Sequence, residues 1–213
     1  MAEEVVVTPE EPTFYEVTFN EEFRAPYMAK IFDILDEIPS GSNVLIWCNS
    51  NGGSVHAGLM LKEKLDSKDF NVTFISRLFN ASMSSLMPLI GDYTHLTYPH
   101  SVFTFHEVAF NHTGSRDELN SLKDYSHGAS DLIDQLVMER VVLTKKEFKK
   151  YNGYDLIQFG YQLLDVGQHG FIDGLILKEH SLSKFLIKTR DGNKLIDIAT
   201  HKRSDIKDLP IEE

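Results

Sequence analysis

The run Phe70-Asn71-Val72-Thr73-Phe74-Ile75-Ser76, continued by Arg77-Leu78-Phe79-Asn80-Ala81-Ser82-Met83-Ser84-Ser85-Leu86-Met87, decides the fold. Its first part is short and apolar, as a buried strand is. Its second part sets small residues around Ser82 and then turns apolar again, as the start of a helix does. A strand, a sharp turn and a helix start in succession can hold a nucleophilic serine. The side chain is then exposed, and the next backbone N–H groups point at a developing oxyanion. Serine is also a common helix cap, so this stretch alone leaves both readings open.

Working outward, the same pattern occurs just upstream. Val44 to Cys48 reads as a buried strand, Asn49-Ser50-Asn51-Gly52-Gly53-Ser54 as a turn, and Val55 to Leu65 as a helix. Two adjacent glycines permit a turn that other residues resist, and leave N–H groups facing open space. That suits an oxyanion hole or a phosphate cradle, and equally a tight strand-to-helix turn. No Lys-Ser/Thr pair follows the glycines, which argues against a phosphate loop. Downstream, Thr94 to Tyr98 and Val102 to His106 are strand-like. His106 at the end of the second could take a serine proton and return it to a leaving amine; a structural histidine is the plainer alternative.

The rest of the chain fits an α/β fold with a largely parallel sheet. Residues 1–13 are acidic, carry Pro9 and Pro12, and read as a flexible arm. Phe14 to Phe19 reads as a strand. Pro26 opens a helix with an apolar face from Tyr27 to Ile38, closed by Pro39-Ser40-Gly41. Pro88 should kink or shorten the helix that begins at Ser82. Ser115-Arg116-Asp117-Glu118 is a capping box opening a helix with apolar residues from Leu119 to Val141. That helix is long enough either to project toward another subunit or to serve the core. Thr144-Lys145-Lys146-Glu147 opens a shorter helix. Asp165 to His169 reads as a helical piece closed by Gly170, Phe171 to Leu177 as a strand, and Lys184 to Ile198 as a hairpin turning at Asp191-Gly192. The last residues read as charged and frayed.

Composition bounds the function. At 213 residues, 42% hydrophobic and 25% charged, the chain can bury one sizeable core. Net charge is −11, which disfavours nucleic acid as a partner. No run approaches a membrane span, and the acidic start lacks the basic region of a signal peptide. One cysteine, Cys48, leaves no internal disulfide and fits a reducing, cytoplasmic compartment. Cys48, Met60, Met83 and Met87 read as core residues. His95, His100 and His112 lack metal-ligand spacing, so neither a metal nor another cofactor is expected.

The motifs together resemble the Clp-type proteolytic subunits, self-compartmentalising serine peptidases. That family has Asn-Ser-Pro-Gly-Gly, then Ala-Ser-Met, then Pro-x-Ser-x-x-x-x-His, then Tyr-Gly-Leu-Val-Asp. This chain has Asn49-Ser50-Asn51-Gly52-Gly53, Ala81-Ser82-Met83, Pro99-His100-Ser101-Val102-Phe103-Thr104-Phe105-His106, and His169-Gly170-Phe171-Ile172-Asp173. Order and rough spacing agree from about Tyr15 to Asp173. The resemblance implies Ser82 as nucleophile, His106 as general base, and the N–H groups of Gly53 and Met83 as oxyanion hole. Asp155 is the favoured third member of the triad, because a carboxylate both orients the imidazole and stabilises its cation. Alignment from the following motif puts Gln158 there instead. Asp131, Asp134 and Asp165 are weaker alternatives.

The fold implied is a ClpP/crotonase-like α/β domain over residues 14–177. It has a parallel-rich sheet and a projecting handle of about residues 107–143, and residues 178–213 form a C-terminal extension with a hairpin. The resemblance further implies protein or peptide substrates and self-association into stacked heptameric rings. The Ser115-to-Leu143 helix and the Phe105-to-Asn111 strand would make the ring contacts. A separate Clp-type AAA+ unfoldase would supply substrate, since no nucleotide site is visible here. Departures from the family are Asn51 for proline, Ser84 for glycine, Glu107-Val108 for Gln-Pro, Tyr154 for an arginine, and an acidic arm for a basic gate. Ser84 is expected to narrow or polarise the site wall. Competing readings are an inactive or weakly active ring subunit mixed with a standard one, a viral head-maturation peptidase, and an acyl-CoA enzyme of the crotonase fold.

Overall fold

The computed structural model describes residues 14–106, 113, 115–152 and 156–212. In chain order the elements are β1 (Phe14–Phe19), α1 (Ala25–Glu37), β2 (Asn43–Ser50), α2 (Val55–Ser67), β3 (Asn71–Ala81) and α3 (Met83–Leu86). A 3-10 turn at Met87–Leu89, β4 (Thr94–Thr97), β5 (Val102–Phe105), α4 (Arg116–Val141) and α5 (Lys145–Asn152) follow. The chain continues with β6 (Leu156–Phe159), α6 (Gly160–Leu163), β7 (Gly174–Glu179), β8 (Lys184–Thr189) and β9 (Gly192–Asp197). It ends with a 3-10 turn at Arg203–Asp208 and β10 (Ile211–Glu212).

Among the described residues the strands form one mixed sheet. Its main path is β1-β2-β3-β4-β7-β8-β9-β10, and β5 branches from β3 and pairs with β6. From β1 to β7 the main path is parallel, and β5 joins β3 in parallel. The pairs beyond β7, and β5 with β6, are antiparallel. The strand β2 and the first part of β3 are buried on both faces, which is why Val44 to Cys48 and Val72 to Ile75 are largely apolar; β4, Thr94-His95-Leu96-Thr97, is fully buried although mostly polar.

Side-chain alternation in β2 divides the interior into two cores. Val44, Ile46 and Cys48 face one core, packed with α1, α2 and the C-terminal part of α4, while Leu45 and Trp47 face the other. In that second core Ile75, Leu96 and Ile176 meet Phe185, Ile187, Ile196, Ile198 and Ile206 from the last quarter of the chain. The C-terminal residues are therefore a structural layer, in contrast to the frayed end expected. Arg203 pairs with Asp92 at 2.8 Å and Asp173 at 3.0 Å. The buried Lys194 donates to the carbonyls of Ile206 and Lys207, each at 2.8 Å. Arg190 accounts for another difference. It donates to the carbonyls of Leu164, Val166, Gly167 and Gln168, and Asp165 to His169, where a helix was expected, form turns and a bend instead.

Both capping boxes are present at Ser115/Glu118 and Thr144/Glu147. In α4 the buried residues are Ile133, Val137 and Val141, whereas Leu119, Tyr125 and Leu132 are exposed. Its C-terminal half serves the core and its N-terminal half extends beyond it. Pro88 ends the α-helical path at Leu86 and continues it as a 3-10 turn. Met83 and Met87 are buried, but Met60 is exposed and fills no core. No helix among the described residues is long and apolar enough to cross a membrane.

Candidate active site

Two strand-to-helix turns meet at the C-terminal ends of β2 and β3. The second holds Ser82 at φ 54°, ψ −129°. This is a strained conformation for a residue with a side chain. Several bonds keep it there. The Ser82 N–H donates to Thr104 O at 2.9 Å, and Ser85 and Leu86 N–H donate to Ser82 O at 3.0 and 3.3 Å. Met83 opens α3, where a first-turn N–H has no partner within the helix. The Met83 side chain is locked against α2: a Cβ on Gly58 would lie 2.4 Å from its Cε and 2.6 Å from its Cγ.

The first turn is fitted onto the second. Gly52 lies at φ +85°, and a Cβ there would lie 2.3 Å from Ala81 O and 2.7 Å from Ser82 Cβ. Gly53, at φ +140°, bridges to Phe23, whose N–H donates to Gly52 O at 2.8 Å and whose carbonyl accepts from Ser54 N–H at 2.9 Å. Ser54 then caps α2 by accepting from Ala57 N–H. Phe23 was not legible as a site residue, because its role is to hold a turn 30 positions away.

These turns open on a cavity of about 360 Å³ lined by Ser82, Met83, Gly53, His106 and, from α4, Tyr125 and Ala129. Val55, Leu86, Ser54 and His56 complete the wall. Of the residues singled out in the sequence, Ser82, His106, Gly53 and Met83 therefore come together here. Asp155 lies outside the described residues, as do Tyr154 and Glu107. Gln158 pairs with Phe103 in the β5–β6 ladder. Asp131 meets Lys145 at 3.4 Å and Asp165 meets Arg190 at 3.8 Å, both on the surface and neither on this cavity. Asp134 does not line it either. Tyr125 and Ala129, four apart on one helix face, read from sequence as core or subunit contacts. Only the placement of α4 turns them toward Ser82.

The expectation that Ser84 shapes the site wall is corrected. Ser84 is fully buried behind the turn, where its hydroxyl donates to Asn80 Oδ1 at 2.9 Å and lies 3.2 Å from Cys48 Sγ. Burial pushes the Cys48 thiol up to about 11, so it stays protonated.

His95 is a structural histidine. Its Nδ1 lies 2.8 Å from the Phe171 carbonyl, which only accepts, so Nδ1 carries the proton and Nε2 accepts from Ser76 Oγ at 2.9 Å. Burial pushes this ring down to about 4. Among the described residues no three His, Cys, Asp or Glu side chains converge to hold a metal. A larger cavity of about 650 Å³ lies between the end of α4 and the C-terminal layer. Its charged walls are already engaged with one another: Arg140 and Arg203 both meet Asp173, at 2.9 and 3.0 Å.

A parallel-rich sheet with paired strand-to-helix turns, and a strained serine and a histidine on one cavity, are consistent with a ClpP-like fold. The chain matches the Clp protease family over residues 10–178, and it belongs to that family. It is accordingly a serine-type endopeptidase of the ClpP type. No curated protein matches the chain.

Proposed function

We propose that Ser82 is the nucleophile of this peptidase and His106 its general base. The observation that carries this reading is the strained Ser82 turn opening onto the cavity that His106 also lines. His106 takes the Ser82 proton as Oγ attacks the peptide carbonyl, and returns it to the leaving amine as the acyl-enzyme forms. A water then attacks, again through His106, and frees Ser82. The N–H groups of Gly53 and Met83 receive the carbonyl oxygen as it becomes negative. Both residues line the cavity, and the two turns that carry them are in direct contact: a Cβ on Gly52 would lie 2.9 Å from Met83 N. Asp155 orients the imidazole. Val55, Met83, Leu86 and Ala129 suit an apolar side chain next to the cleaved bond.

The substrates are proteins or peptides in extended form. The chain assembles into heptameric rings that enclose these sites, with the exposed N-terminal half of α4 contributing to the ring-to-ring contact. A Clp-type unfoldase delivers substrate in the cytoplasm.

The test is labelling by a fluorophosphonate probe, together with peptidase activity and particle mass of wild type and Ser82→Ala. Wild type is expected to label at Ser82, cleave peptides and sediment as a ring assembly. Ser82→Ala should assemble without labelling or cleavage. An assembled wild type that neither labels nor cleaves would instead identify an inactive ring subunit.

A further inference from the structure

The turn that holds Ser82 sits on a buried polar network centred on Asn80. Asn80, Ser84 and Ser85 are all fully buried. Asn80 Nδ2 lies 2.9 Å from the Arg77 carbonyl, which can only accept, so the amide orientation is settled and Oδ1 faces the other way. Oδ1 accepts from Ser84 Oγ at 2.9 Å. Ser84 has one proton and gives it to Asn80, so the Cys48 thiol, 3.2 Å away, donates to Ser84. The main-chain oxygen of Asn80 accepts from Ser85 Oγ at 2.8 Å.

We infer that Asn80 is a positioning residue for the peptidase reaction, acting through the backbone of Ser82 and Met83; this rests on Ser82 being the nucleophile. The reason is topological. Asn80 binds one residue on the N-terminal side of Ser82 (Arg77) and two on the C-terminal side (Ser84 and Ser85). The strained residue is thus held between straps that share one anchor. The anchor also spans an irregularity in β3. Cys48 is opposite Ser76 but Ser50 is opposite Asn80, so the chain bulges over residues 77–79, and Leu78 takes φ +49°. The side-chain amide closes that bulge. With the straps in place, Ser82 N–H stays on Thr104 O and Met83 stays in the cavity wall.

An apolar residue at position 80 would leave the buried Ser84 hydroxyl and the partly buried Arg77 carbonyl without Asn80. The turn would relax toward ordinary dihedrals, moving Ser82 Oγ relative to His106 and Met83 N–H relative to the oxyanion. A displacement of about 1 Å at a reacting group costs about a hundredfold in rate. Substrate held along the cavity walls would bind as before, so the loss belongs to kcat.

The experiment compares Asn80→Ala, Ser84→Ala and their combination with wild type and Ser82→Ala. Steady-state peptide hydrolysis and the rate of phosphonate labelling at Ser82 are measured well below each variant's unfolding temperature. Ile187→Ala, a cavity in the second core, serves as a control for lost stability. Wild-type labelling and its absence in Ser82→Ala establish the nucleophile; if wild type does not label, the assignment of Ser82 fails and the Asn80 inference fails with it for that separate reason. Given labelling, Asn80→Ala should lose roughly ten- to a hundredfold in kcat and in labelling rate, with KM within about threefold. Ser84→Ala should lose several-fold, and the double variant should be no worse than Asn80→Ala, as for groups acting as a unit. Ile187→Ala should keep wild-type kcat. Wild-type kcat in Asn80→Ala, a rise in KM alone, or the same kcat loss in Ile187→Ala would each overturn the inference. If Asn80→Ala does not fold, unchanged kcat and labelling in Ser84→Ala overturns it.

Discussion

The Ser82 N–H donates to the Thr104 carbonyl at 2.9 Å, joining the end of β3 to β5 two residues before His106. Because β3 and β5 run parallel, with Ala81 opposite Thr104, both strands deliver their C-terminal ends to the same place. One strand then turns into α3 with Ser82 at the turn, and the other ends at Phe105, just before His106. A ladder of main-chain bonds thus brings the serine and the histidine to one cavity.

Replacing Gly52 with alanine tests how closely the two turns are fitted. The new Cβ would lie 2.3 Å from Ala81 O, 2.7 Å from Ser82 Cβ and 2.9 Å from Met83 N, none of which can swing aside. Backbone strain and the clash together should lower stability by about 2 kcal/mol or more. Displacement of the Ser82 turn should lower peptide turnover about a hundredfold. Urea unfolding and a fluorogenic peptide assay measure the two effects. Wild-type turnover in Gly52→Ala would show that the turns move independently.

Gly58 and Met83 should be coupled. Gly58→Ala drives a methyl into the Met83 side chain, and Met83→Ala vacates that space. Each single variant is expected to lose stability. The double variant should be more stable than the sum of the two losses by about 1 kcal/mol or more. Additive losses in a double-mutant cycle would count against the packing described.

Stability should depend on pH through His95. Its folded value is pushed down to about 4 by burial, from an ordinary 6.5. Between those values the unfolded chain takes up a proton that the folded protein refuses, so stability falls as pH drops through this window and levels off below it. The total is on the order of 3 kcal/mol. Urea midpoints measured from pH 7 to pH 4 should fall more steeply for wild type than for His95→Gln. Equal slopes would remove His95 as the cause.

Asp173, the last residue of the fourth motif, joins three parts of the chain. It accepts from Arg140 of α4 at 2.9 Å, from Arg203 at 3.0 Å and from the His95 N–H at 2.8 Å. The Arg140 side chain is 5% exposed, and Asp173 is its hydrogen-bonded counter-charge. Asp173→Asn should cost about 3 kcal/mol or more, since it removes the hydrogen-bonded counter-charge of a buried guanidinium. Adding Arg140→Met should recover part of that. Peptide turnover well below the unfolding temperature should be unchanged, because Asp173 does not line the Ser82 cavity.

Much of the fold is legible in the sequence because its signals are local. Apolar runs between turn residues locate the central strands, Pro26 and the two capping boxes locate helix starts, and Pro88 locates a helix end. The glycine pair and the Ala81-Ser82-Met83 segment also mark where backbone must bend sharply. Such signals act over a few residues, where dihedral preference and side-chain-to-backbone hydrogen bonds dominate.

Other features depend on distant partners and carry no local mark. The last residues, beyond the hairpin that ends at Ile198, are charged enough to read as a frayed end, yet Ile206 is buried in the second core and Lys194 binds its carbonyl and that of Lys207. Asp165 to His169 has a helical appearance in the sequence, yet Arg190, more than 20 positions later, binds the carbonyls of Leu164, Val166 and Gly167 and the segment forms turns. Met60 has the composition of a core residue and the position of a surface one.

At the site the same division holds. Sequence alone determined that Ser82 lies at a sharp strand-to-helix turn, that a glycine pair precedes it and that His106 ends a later strand. Each of these is written in short-range chemistry. The tertiary structure decided that Gly52 abuts Ala81 and Ser82, that Tyr125 and Ala129 of α4 wall the cavity, and that Ser84 points away from it to Asn80. Those relations are set by parallel strand register and by the packing of helices on one face of the sheet. The contacts they create join residues far apart in the chain, where no periodicity or propensity reaches.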